Sequence, residues 1–168
     1  MNLIETERLR LRPFTEDDAA FALELVNDPA WVRFIGDRGV RTLADARGYI
    51  GKTLTHYAQH GFGAYVVERK STGELVGNCG LFKREGLTGV DLGFAFLERF
   101  RGQGYALEAA TAVLALARDR FGLKRIEAYT VAYNLRSIGL LEKLGLKLER
   151  TIRMPGDRED VSQYTLEF

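Results

Sequence analysis

Residues 98–110 read ERFRGQGYALEAA and stand between an apolar run and a run of helix-forming residues. Glycine loses more backbone entropy on folding than any other residue, so Gly102 and Gly104, one residue apart, indicate that the backbone has a task there. A helix start offers unpaired N–H groups and the positive end of the helix dipole, and glycines let an anion approach them closely. The stretch therefore predicts a phosphate-binding loop that opens a helix; a glycine-rich turn without a ligand is the alternative.

The spacing of the loop separates three kinds of phosphate site. A magnesium-nucleotide loop needs Gly-x-x-x-x-Gly-Lys-Ser/Thr, and no such string occurs in the chain. A dinucleotide fingerprint needs a third small residue where Leu107 stands, although Glu127 lies at the distance expected of a ribose ligand. A nucleotide-dependent oxidoreductase is therefore disfavoured, and so is a magnesium-dependent nucleotide hydrolase.

The sequence around the loop predicts alternating helices and strands. Residues 8–12 (RLRLR) alternate between charged and apolar side chains, as in a half-buried strand. One helix is expected to follow Thr15 and end near residues 27–29, and a second to run from Thr42 to Gly61. Downstream we expect an antiparallel meander, a strand–helix–strand crossover with parallel pairing, a further helix and two closing strands. The expected ranges are strands 62–69, 74–82, 90–97, 125–131, 146–153 and 161–168, with helices from about 105 to Gly122 and over 134–144.

Composition indicates one globular domain over residues 1–168. The apolar fraction of 46% suits a chain of 168 residues with a substantial core. With 24 Lys+Arg against 23 Asp+Glu there is no net field that would attract nucleic acid or a membrane surface. Cys79 is the single cysteine, so an intrachain disulfide and a cysteine-based zinc site are excluded. The N-terminus has no apolar targeting region and no run of 18 apolar residues occurs, so we expect a cytoplasmic protein.

The loop also carries a family resemblance. Arg101-Gly102-Gln103-Gly104-Tyr105-Ala106 matches Arg/Gln-x-x-Gly-x-Gly/Ala, the acyl-CoA pyrophosphate loop of the GNAT superfamily of N-acetyltransferases. The strings RLRLRPFTEDD, GELVGNCGLF, VDLGFAFLERFRGQGYALEAA and VAYNLRSIGLLEKLGL resemble, in order, the branch of RimJ/RimL-like ribosomal-protein N-terminal acetyltransferases. The resemblance implies a single α/β (α+β) GNAT-type domain, with a mixed, mostly antiparallel sheet, about four flanking helices and a splayed parallel strand pair that forms the cofactor cleft.

The resemblance further implies an acetyl-CoA-dependent N-acetyltransferase whose acceptor is a primary amine, either a protein N-terminal α-amine or a small-molecule amine. The backbone of Phe96 and Leu97 is expected to pair with the pantetheine arm. Arg101 is expected to add charge at the phosphates or to be an ordinary solvated arginine. Asn134 is expected to bond the pantetheine, to cap a helix, or both. The amides expected to hold the pyrophosphate are those of Gly102, Gln103, Gly104, Tyr105 and Ala106.

Catalysis requires a neutral amine, a stabilised oxyanion and a proton for the departing thiolate. By family analogy the Leu97 amide is the expected oxyanion donor. Many superfamily members carry a tyrosine that acts as the general acid where this chain has Leu141. Ser137 is therefore expected to donate to the thiolate instead, or else to be an ordinary helix serine. Asp91 is the expected base, acting through water, or else a strand carboxylate facing solvent. Glu85 and Glu98 are less favoured bases.

Trp31 is expected either to line the acceptor pocket or to belong to the core. His56 and His60, four residues apart without an acidic third ligand, indicate ordinary surface groups rather than a metal site. The expected partners are acetyl-CoA and an amine, with no nucleic acid and no membrane, and the protein is expected to be a monomer or a homodimer. A catalytically degenerate acyl-CoA-binding module that regulates a partner is the alternative function.

Overall fold

The computed structural model describes residues 3–154, 156–157 and 159–168, which form one eight-stranded sheet with helices on both faces. The strand order is β1-β2-β3-β4-β5-β6-β8-β7, antiparallel throughout except for the β5–β6 pair. The strands are β1 (Ile4–Glu5), β2 (Leu9–Pro13), β3 (Ala64–Arg69), β4 (Leu75–Lys83), β5 (Val90–Phe96), β6 (Arg125–Thr130), β7 (Lys147–Ile152) and β8 (Val161–Glu167). The predicted mixed, mostly antiparallel sheet is confirmed.

Five α-helices are present among these residues, one more than the sequence predicted. They are α1 (Ala19–Val26), α2 (Pro29–Phe34), α3 (Leu43–His60), α4 (Tyr105–Asp119) and α5 (Leu135–Lys143). The ends of α3 follow from its sequence, because Thr42 and Asp45 form a capping box and Gly61 ends the helix in the left-handed region at φ +78°. The unpredicted helix is α2, which starts at Pro29 with Asp28 as its N-cap.

The centre of the sheet is where β5 and β6 separate. The two strands are joined by the predicted crossover through α4 and run parallel, but Asp91 opposite Glu127 is the one registered pair between them in the part of the chain that the structure describes. Beyond this pair β5 continues to Phe96 beside β4 while β6 continues to Thr130 beside β8. The predicted splayed parallel pair is therefore present, and it opens a gap in an otherwise continuous sheet.

The two faces of the sheet are covered by different helices. Helix α4 packs on β4 and β5, with Ala109, Ala110 and Val113 buried against the sheet. On the opposite face α1 packs on α3, and the ring of Phe82 in β4 lies 5.9 Å from that of His56 in α3. The gap between β5 and β6 therefore connects a face covered by α4 with a face covered by α1 to α3.

Candidate functional site

A cavity of about 1540 Å³ runs through the gap between β5 and β6 and reaches both faces of the sheet. On the α4 side it is bounded by the glycine loop and by the start of α5, and on the other side by α2 and α3. Of the candidate site residues that the sequence singled out, those that line it are Trp31, Glu85, Asp91, Phe96, Arg101, Gly102, Gly104, Tyr105, Ala106, Asn134 and Ser137. Leu97, Glu98 and Gln103 do not line it.

The glycine loop has the backbone that its sequence indicated. Gly102 and Gly104 have φ values of +78° and +82°, a left-handed conformation that side chains with a Cβ rarely adopt. Gly104 caps α4, and its carbonyl accepts the N–H of Glu108, the first backbone bond of that helix. A Cβ added to Gly102 would meet no atom within 4 Å, so the loop leaves open space in front of the helix start. The first N–H groups of α4 have no partner within the helix, so the open space beside them is suited to an anion.

Arg8, which precedes β2, holds this loop from outside, and sequence reasoning missed it. Its Nη1 donates to the Gln103 carbonyl at 2.8 Å and its Nε to Glu108 Oε1 at 2.7 Å. The guanidinium also lies 4.5 Å from the ring centroid of Tyr105, a cation–π contact. Arg8 and Glu108 are 100 residues apart in the sequence, so no local pattern predicts their contact.

Arg101 is tied to its protein surroundings rather than solvated. Its Nη2 donates to Asp28 Oδ1 at 2.8 Å and its Nε donates to the Phe96 carbonyl at 2.9 Å. Burial raises the pKa of Asp28, but the bonds from Arg101 and from the Ala30 N–H outweigh it and the net shift is downward, so Asp28 is a carboxylate. The charge of Arg101 is thereby neutralised within the protein, and its contacts join the loop to the end of β5 and the start of α2.

The end of β5 presents different backbone groups from those expected. The Leu97 N–H donates to the Val76 carbonyl of β4 at 3.0 Å, so this expected oxyanion donor is occupied. Because hydrogen-bonded pairs alternate along an antiparallel ladder, the N–H and C=O groups of Phe94 and Phe96 turn away from β4 and toward the gap. Phe94 and Phe96, rather than Leu97, therefore have backbone groups that face the gap.

Asn134 and Ser137 come together at the start of α5. Asn134 is the N-cap, and its Oδ1 accepts the Ser137 N–H at 3.3 Å. Its side-chain NH₂ and the Ser137 hydroxyl make no hydrogen bond to the residues that the structure describes, and both side chains line the cavity. By contrast, the Thr111 hydroxyl of α4 bonds the Leu107 carbonyl one turn back. Ser137 therefore has a free donor at the cavity wall.

Asp91 lies at the base of the gap and does not face bulk solvent, because it is only 2% exposed. Arg84 Nε donates to both of its carboxylate oxygens, at 2.9 and 3.1 Å. Burial raises the pKa of Asp91 and Arg84 opposes the rise, while the nearby charge of Glu127 adds to it. A carboxylate with a raised pKa is a stronger base than an exposed one. Sequence reasoning did not identify Arg84 as its partner.

Two further side chains extend the carboxylate cluster. The Tyr129 hydroxyl donates to Glu127 Oε2, and Glu127 is paired with Arg125 at 3.5 Å. Burial, followed by the contact with Glu127, raises the pKa of Tyr129. Tyr129 lines the cavity, so its phenol connects the cavity wall to the Glu127 carboxylate. Glu127, which in the sequence resembled a ribose ligand, belongs to this cluster instead.

The opposite end of the cavity is aromatic. Trp31 in α2 is 6% exposed and packs edge-on against Tyr49 in α3, with ring centroids 6.5 Å apart. Trp31 therefore belongs to the core and to the cavity wall at once. His56 differs from the expected surface group: its Nδ1 lies 3.1 Å from the Phe62 carbonyl, and its Nε2 accepts the Lys83 N–H at 3.0 Å.

No group of three or more potential metal ligands occurs in residues 3–154, 156–157 and 159–168. Over the same residues, none of the helices combines the length and the apolar composition that crossing a membrane requires. Cys79 is buried, and burial raises the pKa of its thiol, so it is not poised as a nucleophile.

Comparison with known proteins agrees with this geometry. Residues 8–147 match the family described as acetyltransferase (GNAT) domain. The Bacillus subtilis (strain 168) protein YkkB is 30% identical over 151 residues, which cover 88% of this chain and 87% of YkkB. A B. subtilis protein named as the N-acetyltransferase YnaD is 28% identical over 146 residues, 87% of this chain and 83% of that one.

Solved structures agree in fold as well. A GNAT-family acetyltransferase from Bacillus anthracis superposes with a TM-score of 0.83 at 27% identity, covering 99% of this chain and 98% of that one. RimL, a ribosomal L7/L12 α-N-protein acetyltransferase in complex with coenzyme A, has a TM-score of 0.84 at 20% identity, over 99% and 98% of the two chains, which is a likeness of fold. The chain therefore belongs to the GNAT family of acetyltransferases and is an acetyl-CoA-dependent acyltransferase.

Proposed function

We propose that the protein transfers the acetyl group of acetyl-CoA to a primary amine, a protein N-terminal α-amine or a small-molecule amine, by direct attack of the amine on the thioester. The observation that carries the proposal is the gap between β5 and β6, with a left-handed glycine loop on one side and a buried carboxylate at its base. When bound, acetyl-CoA supplies an activated acetyl group.

The residues of the loop fit a pyrophosphate. The φ values of Gly102 and Gly104 and the open space beside Gly102 leave the amides of residues 102–106 accessible, including those of Gln103, Tyr105 and Ala106. The first turn of α4, a helix of 15 residues, adds the positive end of the helix dipole. We assign Arg101 to positioning the loop rather than to the phosphates, because Asp28 already neutralises its charge.

The walls of the gap fit an extended arm that carries amide groups. Phe94 turns its N–H and C=O into the gap and Phe96 its N–H, and these groups can pair with such an arm as an added strand. The Phe96 carbonyl is already bonded by Arg101. Leu97 supports this edge through its bond to Val76. Across the gap, Asn134 caps α5 with its oxygen and keeps its NH₂ for the arm. The backbone N–H of Phe94 replaces that of Leu97 as the proposed oxyanion donor.

Proton transfer is assigned to two side chains. Asp91 accepts the proton of the attacking amine, directly or through water, because its raised pKa suits a base and Arg84 fixes its orientation. Ser137 donates a hydrogen bond to the departing sulfur from the start of α5. An α-amine, with a pKa near ~8, needs less help from such a base than a lysine amine near ~10.

The degenerate acyl-CoA-binding module is the second function to be tested. It requires the glycine loop but neither Asp91 nor Ser137, and both of these line the cavity here. The deciding experiment is an assay of CoA thiol release from acetyl-CoA with a panel of peptides, polyamines, amino sugars and amino acids. Amine-dependent release together with an acetylated product supports transfer. Binding of acetyl-CoA without release for any amine would support the module.

The composition of the chain bears on its compartment and on its partners. The buried, unpaired Cys79 suits a reducing compartment, and we infer the cytoplasm from it. The balance of acidic and basic residues favours acetyl-CoA and an amine as the partners rather than nucleic acid or a membrane surface.

A further inference from the structure

Arg8 contacts the glycine loop from outside the cavity between β5 and β6. It is not among the residues that line this cavity. It lines a separate, shallow groove together with Thr6, Gly104 and Glu108. Gly104 borders both spaces, so the loop forms a wall between them. Contacts that Arg8 makes with the loop therefore act on the cavity from behind this wall.

The bond from Arg8 fixes the orientation of one peptide unit of the loop. Arg8 Nη1 donates to the Gln103 carbonyl at 2.8 Å. The C=O and N–H groups of a trans peptide lie in one plane and point in opposite directions, so the Gly104 N–H points away from the guanidinium. This N–H makes no hydrogen bond to the residues that the structure describes. Arg8 therefore holds a free donor of the loop in a fixed direction.

The guanidinium of Arg8 also packs against the residues that follow Gln103. A Cβ added to Gly104 would lie 3.3 Å from Arg8 Nη2, which is closer than an ordinary van der Waals contact. The next residue, Tyr105, presents its ring to the guanidinium at 4.5 Å. Arg8 thus contacts three consecutive residues at the point where the loop becomes helix α4.

Glu108 makes a cation necessary at this place. It lies in the first turn of α4. Burial raises the pKa of Glu108, but the bonds from Thr6 and Arg8 outweigh it and the net shift is downward, so Glu108 is a carboxylate. A carboxylate at a helix start repels an anion that binds the same helix start. The Arg8 Nε and backbone N–H donate to its two oxygens at 2.7 and 2.9 Å, and the guanidinium neutralises its charge.

We propose that Arg8 is a positioning residue of the cofactor site, which orients the Gly104 N–H and neutralises Glu108 so that the glycine loop can bind the pyrophosphate of acetyl-CoA. This inference rests on the proposed pyrophosphate site and adds to it a residue from the other side of the loop. Arg8 acts through the loop and through Glu108, and it touches neither the thioester nor the amine.

Arg10 offers a matched control. It lies in β2, two residues after Arg8, and its side chain is 40% exposed against 42% for Arg8. It pairs with Glu5 at 3.2 Å and with Glu68 at 3.4 Å, and neither of these belongs to the loop. Partly exposed ion pairs contribute little to stability, so Arg8→Met and Arg10→Met are both expected to fold with melting temperatures close to that of the parent.

The test is a calorimetric titration with acetyl-CoA and with its nucleotide half, 3′-phosphoadenosine 5′-diphosphate. We expect Arg8→Met to weaken the binding of both ligands by the same factor, about tenfold, because both carry the pyrophosphate. Arg8→Lys keeps the charge, but one ammonium group cannot reproduce the planar guanidinium that spans the Gln103 carbonyl and Glu108, so a similar loss is expected. Arg10→Met is expected to bind both ligands as the parent does.

Each of the other outcomes has a distinct meaning. Parental affinity for acetyl-CoA in Arg8→Met would overturn the role of Arg8 and leave the pyrophosphate site standing. Parental affinity in Arg8→Lys would overturn the orienting role, because the charge alone would then suffice. A loss for acetyl-CoA without a loss for the nucleotide half would contradict an action at the pyrophosphate. Absence of acetyl-CoA binding in the parent would instead refute the proposed site itself.

Discussion

Arg101 bonds Asp28 and the Phe96 carbonyl at the same time, through Nη2 at 2.8 Å and Nε at 2.9 Å. The Asp28 side chain is 8% exposed and that of Arg101 22%, so the pair is shielded from screening by salt. One side chain thus connects the end of β5, the glycine loop and the start of α2. The side of the cavity bounded by α4 and the side bounded by α2 are joined through it.

Asp28→Asn tests whether Arg101 positions the loop or binds phosphate. If Arg101 positions the loop, freeing its charge lowers acetyl-CoA affinity and stability together, and Arg101→Met does the same. A double-mutant cycle is expected to give a coupling of about 1–3 kcal/mol in the free energy of unfolding. If Asp28→Asn instead tightens acetyl-CoA binding, Arg101 acts on the phosphates and Asp28 merely competes for it. Calorimetric titration and thermal denaturation measure the two quantities.

Ser137→Ala tests the donor to the thiolate. General acid assistance is typically worth ~10²–10⁴-fold and a single hydrogen bond less, so we expect kcat to fall roughly tenfold to a hundredfold, about 1.4–2.7 kcal/mol of barrier. The KM for acetyl-CoA should hardly change, and Ser137→Thr should retain much of the rate. Steady-state kinetics of thiol release measure both. A parental kcat in Ser137→Ala would mean that the thiolate leaves through water.

Asp91→Asn tests the base through the pH profile. Burial holds the pKa of Asp91 above the ordinary carboxyl value, so at pH below this raised pKa the side chain is protonated and accepts no proton. We therefore expect the ratio of parent to variant kcat/KM to rise with pH across that pKa and then level off. Taking the ratio cancels the titration of the amine. Glu85→Gln is the control, and a pH-dependent ratio in that variant rather than in Asp91→Asn would move the base to Glu85.

Protonation of His56 is expected to lower the stability of the fold at mildly acidic pH. Burial, assisted by the charge of His60, lowers the pKa of His56 from its ordinary value of 6.5. Protonation of Nε2 would also break the bond that it accepts from the Lys83 N–H. The unfolded chain then binds the proton more readily, so stability is intact above pH 6.5 and is lost as the pH falls below it. The melting temperature is expected to drop between pH 7 and pH 5, and to drop less in His56→Gln. His60→Gln removes only the contribution of the neighbouring charge, so it is expected to reduce the fall less than His56→Gln does. An equal fall in all three proteins would contradict the account.

Much of the fold follows from local patterns in the sequence. The capping box at Thr42, the stop at Gly61 and the alternation in β2 need only neighbouring residues, and each element lies where it was predicted. The helix α2 was missed because Asp28-Pro29 reads as the end of α1, although Asp followed by Pro also starts a helix. Its six residues are too few for a periodic signal.

The site was less predictable where it depends on distant contacts. The glycine loop can be predicted from residues 102–106 alone. Its contact with Arg8 cannot, because Arg8 lies far away in the sequence. Every second residue of β5 turns its N–H and C=O toward β4, and the residues between them turn these groups toward the gap. Which residues face the gap therefore depends on the register with β4, in which the Leu97 N–H bonds the Val76 carbonyl.

Binding of acetyl-CoA to Gly102→Ala and Gly73→Ala, compared by calorimetric titration, tests most directly whether the glycine loop is the cofactor site. The two glycines have φ values of +78° and +76°, and an added Cβ would meet no atom within 4 Å at either. Each alanine therefore carries the same backbone strain, about 1–2 kcal/mol, but only Gly102 lies at the start of α4. We expect both variants to lose similar stability and only Gly102→Ala to lose acetyl-CoA affinity, by tenfold or more. Equal affinities in the two folded variants would contradict the assignment of the loop.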